Sequence, residues 1–196
     1  MNKAFFLDRD GIVLSMVYDL ESSTIDTPRI SSQIKFIDGV FDLLKYTSFL
    51  GYRNIVISNQ PAVALKKMSL KNFNEIQRVM NQRLNQNHAV IDDYFYCFHH
   101  PFAKVPKYRI NCSCRKPKTG LIKRAAKKYD FDLPKSWFLG DGVNDILAGQ
   151  KSGCKTILLA NTGFSEFFRI LEEKLDGVKP DYIVKRLSEV KKILCK

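Results

Sequence analysis

The chain has no apolar run near the roughly 20 residues that a membrane helix needs, and Met1 to Phe6 lacks the long apolar segment of a secretory signal. Both absences predict a cytoplasmic protein that does not enter a membrane. Acidic residues are also in short supply, with 20 Asp and Glu against 32 Lys and Arg and a net charge of +12. Such a balance gathers anions, so phosphorylated molecules and nucleic acid are the partners to weigh. No low-complexity tract is present, and 45% of the residues are hydrophobic. Disorder is thereby excluded, and the length of 196 residues predicts one domain spanning 1–196; a monomer is the expected state. The basic residues are dispersed. Lys123, Arg124, Lys127 and Lys128, and later Lys185, Arg186, Lys191 and Lys192, recur at the spacing of solvated helix faces. Aromatic residues are not interleaved with them as a base-stacking platform requires, which argues against nucleic acid.

Short runs rich in Phe, Ile and Val alternate with longer amphipathic stretches. That rhythm predicts an α/β fold, a three-layer Rossmann-like parallel sheet with helices on both faces. Strands are expected at Lys3 to Leu7, Asn54 to Ser58, Tyr94 to Phe98, Ser136 to Leu139, Lys155 to Leu159 and Tyr182 to Val184. Helical periodicity fits Val40 to Leu50, Leu70 to Gln86, Gly120 to Tyr129, Val143 to Lys151 and Glu166 to Lys174. Two segments, Ile12 to Gln33 and His99 to Lys118, break the rhythm, and each directly follows a strand. Neither has room for a large cap domain. Ligands of open parallel sheets bind beyond the carboxyl ends of the strands, where both loops lie.

Polar residues of the types that phosphoryl transfer needs fall at those ends. Asp8 and Asp10 follow the first strand, Ser58 and Asn59 the second, Arg115 and Lys116 precede a helix, and Asp141 and Asp145 follow the fourth strand. A carboxylate attacks phosphorus only when its charge and that of the phosphate are partly neutralised. Mg2+ suits that task, with Asp8 and Asp141 as hard oxygen ligands. Asp10, two residues on, is placed to protonate the leaving oxygen and later to activate water. Ser58 and Asn59 would bind phosphoryl oxygens, and Lys116 with Arg115 would offset transition-state charge. The plainer alternative makes Asp141 and Asp145 helix caps and Asp10-Gly11 a turn.

The segments Phe6-Leu7-Asp8-Arg9-Asp10-Gly11, Ile57-Ser58-Asn59-Gln60, Cys114-Arg115-Lys116-Pro117 and Gly140-Asp141-Gly142-Val143-Asn144-Asp145 together resemble the haloacid dehalogenase superfamily. Within it they look like the small capless phosphatases of heptose bisphosphates and histidinol phosphate. The resemblance implies an aspartyl-phosphate mechanism at Asp8, a magnesium ligand from the Asp10 carbonyl, and support of the site by Asp145.

Cys97-x-His99 and Cys112-x-Cys114 flank a loop and supply four ligands of the type that zinc binds tetrahedrally. With all four positions filled by protein, such a zinc holds a loop and does no chemistry. His100 is the alternative to His99. The resemblance agrees, since heptose bisphosphate phosphatases carry a similar zinc loop beside the lysine motif.

Other positions depart from the heptose enzymes. Pro61 to Lys67 replaces a glycine-bearing loop with an arginine, Gly142 stands where a lysine is common, and Ile12 replaces a threonine. Recognition would then fall partly to Ser22, Ser23, Thr24 and Arg29. The reading favoured is a phosphatase of a small phosphorylated metabolite, a heptose (bis)phosphate or related sugar phosphate. Histidinol phosphate and polynucleotide 3'-ends are alternative substrates, and a zinc-stabilised nucleic-acid-binding module or an inactive phosphatase are alternatives of another class.

Overall fold

The structure is a computed structural model that describes residues 2–19, 24–160, 175 and 177–195. Its strands are β1 (Lys3–Leu7), β2 (Val17–Asp19), β3 (Thr24–Asp26), β4 (Tyr52–Asn59), β5 (Asp93–Cys97), β6 (Trp137–Gly140), β7 (Lys155–Leu159) and β8 (Tyr182–Val184). The described helices are α1 (Val40–Phe49), α2 (Leu70–Gln86), α3 (Gly120–Tyr129), α4 (Val143–Lys151) and α5 (Leu187–Leu194). Six strands pair in parallel in the order β5-β4-β1-β6-β7-β8, while β2 and β3 form a separate antiparallel hairpin.

The apolar runs are buried on both faces of this sheet, as a parallel sheet covered by helices demands. Phe5 and Leu7 of β1 pack with Val40 and Leu43 of α1, Phe73 and Ile76 of α2, and Leu187 of α5. Ala4 and Phe6 point the other way, toward Leu121 and Ile122 of α3 and Ala148 of α4. The period of two along one strand thus feeds two cores and makes the three layers expected from the sequence. Removing a fully buried ring such as Phe6, packed edge-on against Phe131, costs on the order of 3–5 kcal/mol.

Helix α2 shows how local signals place an element. The Ser69 hydroxyl accepts a hydrogen bond from the Asn72 amide at 3.0 Å and so caps the helix. Its buried residues, Phe73, Ile76, Met80 and Leu84, keep to one stripe. Of the basic residues read at helical spacing, Lys123, Arg124, Lys127 and Lys128 on α3, Lys185 and Arg186 just before α5 and Lys192 on it are exposed, and Lys191 is half-buried.

Several boundaries differ from expectation. β4 begins at Tyr52 because Tyr52 and Arg53 pair with Lys3 and Ala4 of β1, a contact no local signal announces. The loop Ile12 to Gln33 contains the β2–β3 hairpin and a 3-10 turn at Ser31–Gln33. Helical spacing of its basic residues was the one sign of helix α5, which was not marked as an element, since eight residues with only Leu187 and Val190 buried make a weak apolar pattern. The helix expected at Glu166 to Lys174, and Ser22 and Ser23, lie outside the described residues. Among the described residues no helix is long and apolar enough to cross a membrane.

From β1 the chain moves through β4 to β5 at one edge, then returns to β6 on the other side of β1. This reversal opens a crevice beyond the carboxyl ends of β1 and β6. Asp8 and Asp141 stand at those two ends.

Candidate active site

Asp8 follows the last residue of β1, and its amide donates to the Leu139 carbonyl of β6 at 3.1 Å. The backbone is thereby pinned between strands, and the side chain projects into the crevice. Asp8, Asp141 and Asp145 bring one carboxylate oxygen each within 4.8 Å of one another. Two glycines make the gathering possible. A Cβ on Gly11, whose φ is +82°, would lie 1.9 Å from Asp141 Oδ2, and one on Gly140 would lie 2.2 Å from the Asp145 Cβ.

The cation in this cluster is Lys116, which is 3% exposed. Its Nζ lies 3.0 Å from Asp8 Oδ1 and 2.5 Å from Asp145 Oδ1, and donates to the Ile57 carbonyl at 2.7 Å. Burial disfavours this ammonium, but Asp145 and Asp8 outweigh that and hold its pKa above the ordinary lysine value. The carboxylates respond in the opposite sense. Burial raises Asp8 to about 6, with Lys116 and a Ser58 hydrogen bond pulling down and Asp145 and Asp10 pushing up. Asp141 is raised well above the usual range, first by burial and then by Asp145 and Asp8. Once all three acids are ionised, as a bound cation favours, one lysine leaves an excess of two negative charges held among oxygen donors. That donor set fits a hard divalent cation such as Mg2+.

Asp145 also accepts from the Gly142 amide at 3.1 Å at the start of α4. The capping alternative is therefore true of this residue in addition to its place in the cluster.

Asp10 points elsewhere. Its Oδ1 accepts from Arg9 Nε at 3.0 Å, and its Oδ2 accepts from Arg9 Nη2 at 3.0 Å and Gln60 Nε2 at 2.7 Å. Gln60 Nε2 also donates to the Ser58 hydroxyl at 3.0 Å, linking the end of β4 to Asp10. Asn59, expected to meet phosphate, has its amide engaged with backbone: Oδ1 accepts from the Lys116 amide at 3.0 Å and Nδ2 donates to the Lys116 carbonyl at 3.1 Å. It orients the lysine. Arg115 turns away from the carboxylates, with Nη1 donating to the His99 carbonyl at 3.2 Å.

A cavity of about 260 Å³ opens over the cluster, lined among others by Asp8, Asp10, Asp141, Met16, Thr27 and Lys67. Met16 flanks the hairpin and Thr27 follows it, so the irregular first loop supplies one wall. Asp26 accepts from Arg29 at 2.5 Å and from Lys67 at 3.2 Å, tying the hairpin to the loop after β4. Sequence reasoning missed Arg9, Gln60 and Thr27 as parts of the site. Arg9 and Gln60 lay inside the quoted motifs, whereas nothing in the sequence marked Thr27.

The second cluster joins the end of β5 to the 99–118 loop. Cys97, His99, Cys112 and Cys114 bring their ligand atoms within 4.8 Å of one another. Cys97 Sγ is 3.6 Å from Cys112 Sγ and 3.1 Å from Cys114 Sγ, and His99 Nδ1 is 3.2 Å from Cys114 Sγ. A tetrahedron with Zn–S bonds of about 2.3 Å has edges of about 3.8 Å, so this donor set is nearly preformed for zinc. His100 is outside it, its Nδ1 accepting from the Phe102 amide at 3.1 Å.

A Rossmann-like sheet with an acidic cluster at its switch point and a lysine between the acids is the architecture of a haloacid dehalogenase-like phosphatase, and the chain belongs to that family. A family profile described as HAD-hydrolase-like matches residues 113–190. The chain is 32% identical to D-glycero-beta-D-manno-heptose-1,7-bisphosphate 7-phosphatase of Haemophilus influenzae, over 99% of this chain and 97% of that one. It is 36% identical to D-glycero-alpha-D-manno-heptose-1,7-bisphosphate 7-phosphatase of Photorhabdus laumondii, over 82% and 84%. Among solved structures, the D,D-heptose 1,7-bisphosphate phosphatase of B. bronchiseptica, complexed with magnesium and phosphate, shares the fold with a TM-score of 0.79 and 24% identity, covering 98% of each chain.

Proposed function

We propose that this chain is a magnesium-dependent phosphatase that removes the 7-phosphate of a D-glycero-D-manno-heptose 1,7-bisphosphate through an aspartyl phosphate on Asp8. The observation that carries the reading is the contact of Asp8 with Lys116 beside Asp141 and Asp145. The names of the relatives support the substrate, and because they include both anomers the anomer is left to experiment.

Asp8 attacks phosphorus, forming an acyl-phosphate bond as the bond to the sugar oxygen breaks. Asp10 gives its proton to that oxygen, so the sugar leaves as an alcohol. Water then attacks the acyl phosphate, Asp10 takes its proton, and phosphate departs with Asp8 regenerated. Ser58 donates to phosphoryl oxygens, and Lys116, oriented by Asn59, offsets the charge they develop. Magnesium, held by Asp8, Asp141 and the Asp10 carbonyl with Asp145 in support, supplies charge neutralisation between nucleophile and phosphate when bound. Zinc on Cys97, His99, Cys112 and Cys114 would hold the loop that delivers Lys116, and would take no part in the chemistry.

Magnesium-dependent phosphate release should be measured on both anomers of the 1,7-bisphosphate, on heptose and hexose monophosphates, histidinol phosphate and oligonucleotide 3'-ends. One anomer of the bisphosphate is expected to lead in kcat/KM by at least about tenfold. Preference for histidinol phosphate or an oligonucleotide end would overturn the substrate, and release that is indifferent to magnesium would overturn the mechanism.

A further inference from the structure

Arg9 is the largest fully buried side chain among the described residues, at 0% exposed. It sits between Asp8 and Asp10 but does not reach toward the cavity. Its Nε and Nη2 grip both oxygens of Asp10 at 3.0 Å, and Nη2 also donates to the Thr27 hydroxyl at 2.9 Å. The guanidinium lies 5.3 Å from the Phe73 ring centroid and 5.9 Å from that of Tyr96. Its Nη1 has no hydrogen-bond partner among the described residues.

Stability is a poor reason for this arrangement. A buried ion pair seldom outperforms an apolar pair of the same volume, and an unmatched buried donor adds to its cost. What the fork does provide is direction. Two parallel hydrogen bonds fix the plane of a carboxylate, which a lysine cannot do. Thr27 lines the same cavity as Asp10, so the fork also ties the wall built by the first loop to the carboxylate.

We propose that Arg9 is a positioning residue that sets the plane of Asp10 for proton transfer to the leaving oxygen, and that Thr27 carries the placement of the first loop to it. This rests on the acid role given to Asp10 above. Proton transfer matters most for a poor leaving group. An alkyl phosphate such as the sugar substrate needs the acid, whereas p-nitrophenyl phosphate scarcely does. The kcat/KM value covers steps only through the first irreversible one, so the later base step shared by both substrates drops out.

The test compares kcat/KM for the heptose bisphosphate and p-nitrophenyl phosphate in wild type, Asp10→Asn, Arg9→Lys, Arg9→Met and Thr27→Val, with folding followed by thermal melts. Asp10→Asn should lower the sugar reaction by about 10²-fold or more and the aryl reaction far less. Arg9→Lys and Arg9→Met should repeat that selectivity, with losses of at least about tenfold on the sugar and under about threefold on the aryl ester. Thr27→Val should show a smaller loss of the same kind, and it carries the test if both Arg9 variants fail to fold. Equal losses on both substrates, or none, in the variants that fold would overturn the role of Arg9. Failure of Asp10→Asn itself to discriminate would overturn the acid assignment instead.

Discussion

Two clusters of side chains suited to metal, one of oxygen and one of sulfur and nitrogen, gather at and beyond the carboxyl ends of strands, and they differ in what the fold leaves open. Asp8 and Asp141 line a cavity, and Lys116 neutralises part of the charge that they and Asp145 gather. Cys97, His99, Cys112 and Cys114 turn one ligand atom each toward a common centre, and Cys97 is fully buried. An open, charge-unbalanced set can exchange ligands and do chemistry, whereas a closed soft set can only hold chain together. A single residue, Arg115, joins the two, since Cys114 belongs to one and Lys116 to the other.

The sharpest way to break that distinction is at Asp8. Asp8→Asn is expected to lower phosphate release by at least about 10⁴-fold while leaving the melting temperature near wild type. Residual turnover above that level, with magnesium present, would remove Asp8 as nucleophile. Cys114→Ser attacks the other cluster. It should strip zinc, measured as metal per chain, and lower Tm by roughly 10 °C, with activity falling because the loop before Lys116 loosens. A variant that keeps its Tm without zinc would leave the loop with no need of the metal.

Gly11→Ala probes the open cluster more gently. The added Cβ would collide with Asp141 Oδ2, and φ at +82° strains any side chain. A loss of about 2 kcal/mol in stability is expected, along with at least about tenfold weaker magnesium activation. Unchanged magnesium dependence in a folded variant would show that Asp141 is not held by this approach.

The smallest effect concerns pH. The folded pKa of Asp8, about 6, lies above the ordinary 3.8. The metal-free folded chain therefore binds this proton more firmly than the unfolded chain does. That contribution is complete below about pH 4, falls away as pH rises through about 6, and amounts to about 3 kcal/mol at most. Magnesium reverses the preference by favouring the ionised carboxylates. The rise in Tm on adding magnesium should thus be larger at pH 7 than at pH 5, by a few degrees. An equal rise at both would mean that the cation does not compete with protons here.

Much of this was legible in the residues. The strand rhythm, the capped α2 and the four polar segments identified a parallel α/β fold and most of the side chains in the crevice. Legibility ended where a role depends on direction. Asn59 and Arg115 sit at the expected places in the chain, yet their side chains engage Lys116 and His99 backbone groups. The β2–β3 hairpin was hidden because three-residue strands carry too short a pattern to read. Arg9 reads from sequence as a spacer between two acids, and only burial against Phe73 and Tyr96 turns it back onto Asp10.

By itself the sequence determined which chemistries the chain can host, because residue type and order at strand ends are local facts. Carboxylates, a lysine and a Cys/His set can be listed without coordinates. Only the tertiary structure decided which carboxylates share a charge cluster, which one is held apart by a guanidinium, and which histidine joins the cysteines. Those outcomes depend on distances of a few ångströms between segments more than a hundred residues apart, as with Asp8 and Asp141, and such distances are set by strand order and packing.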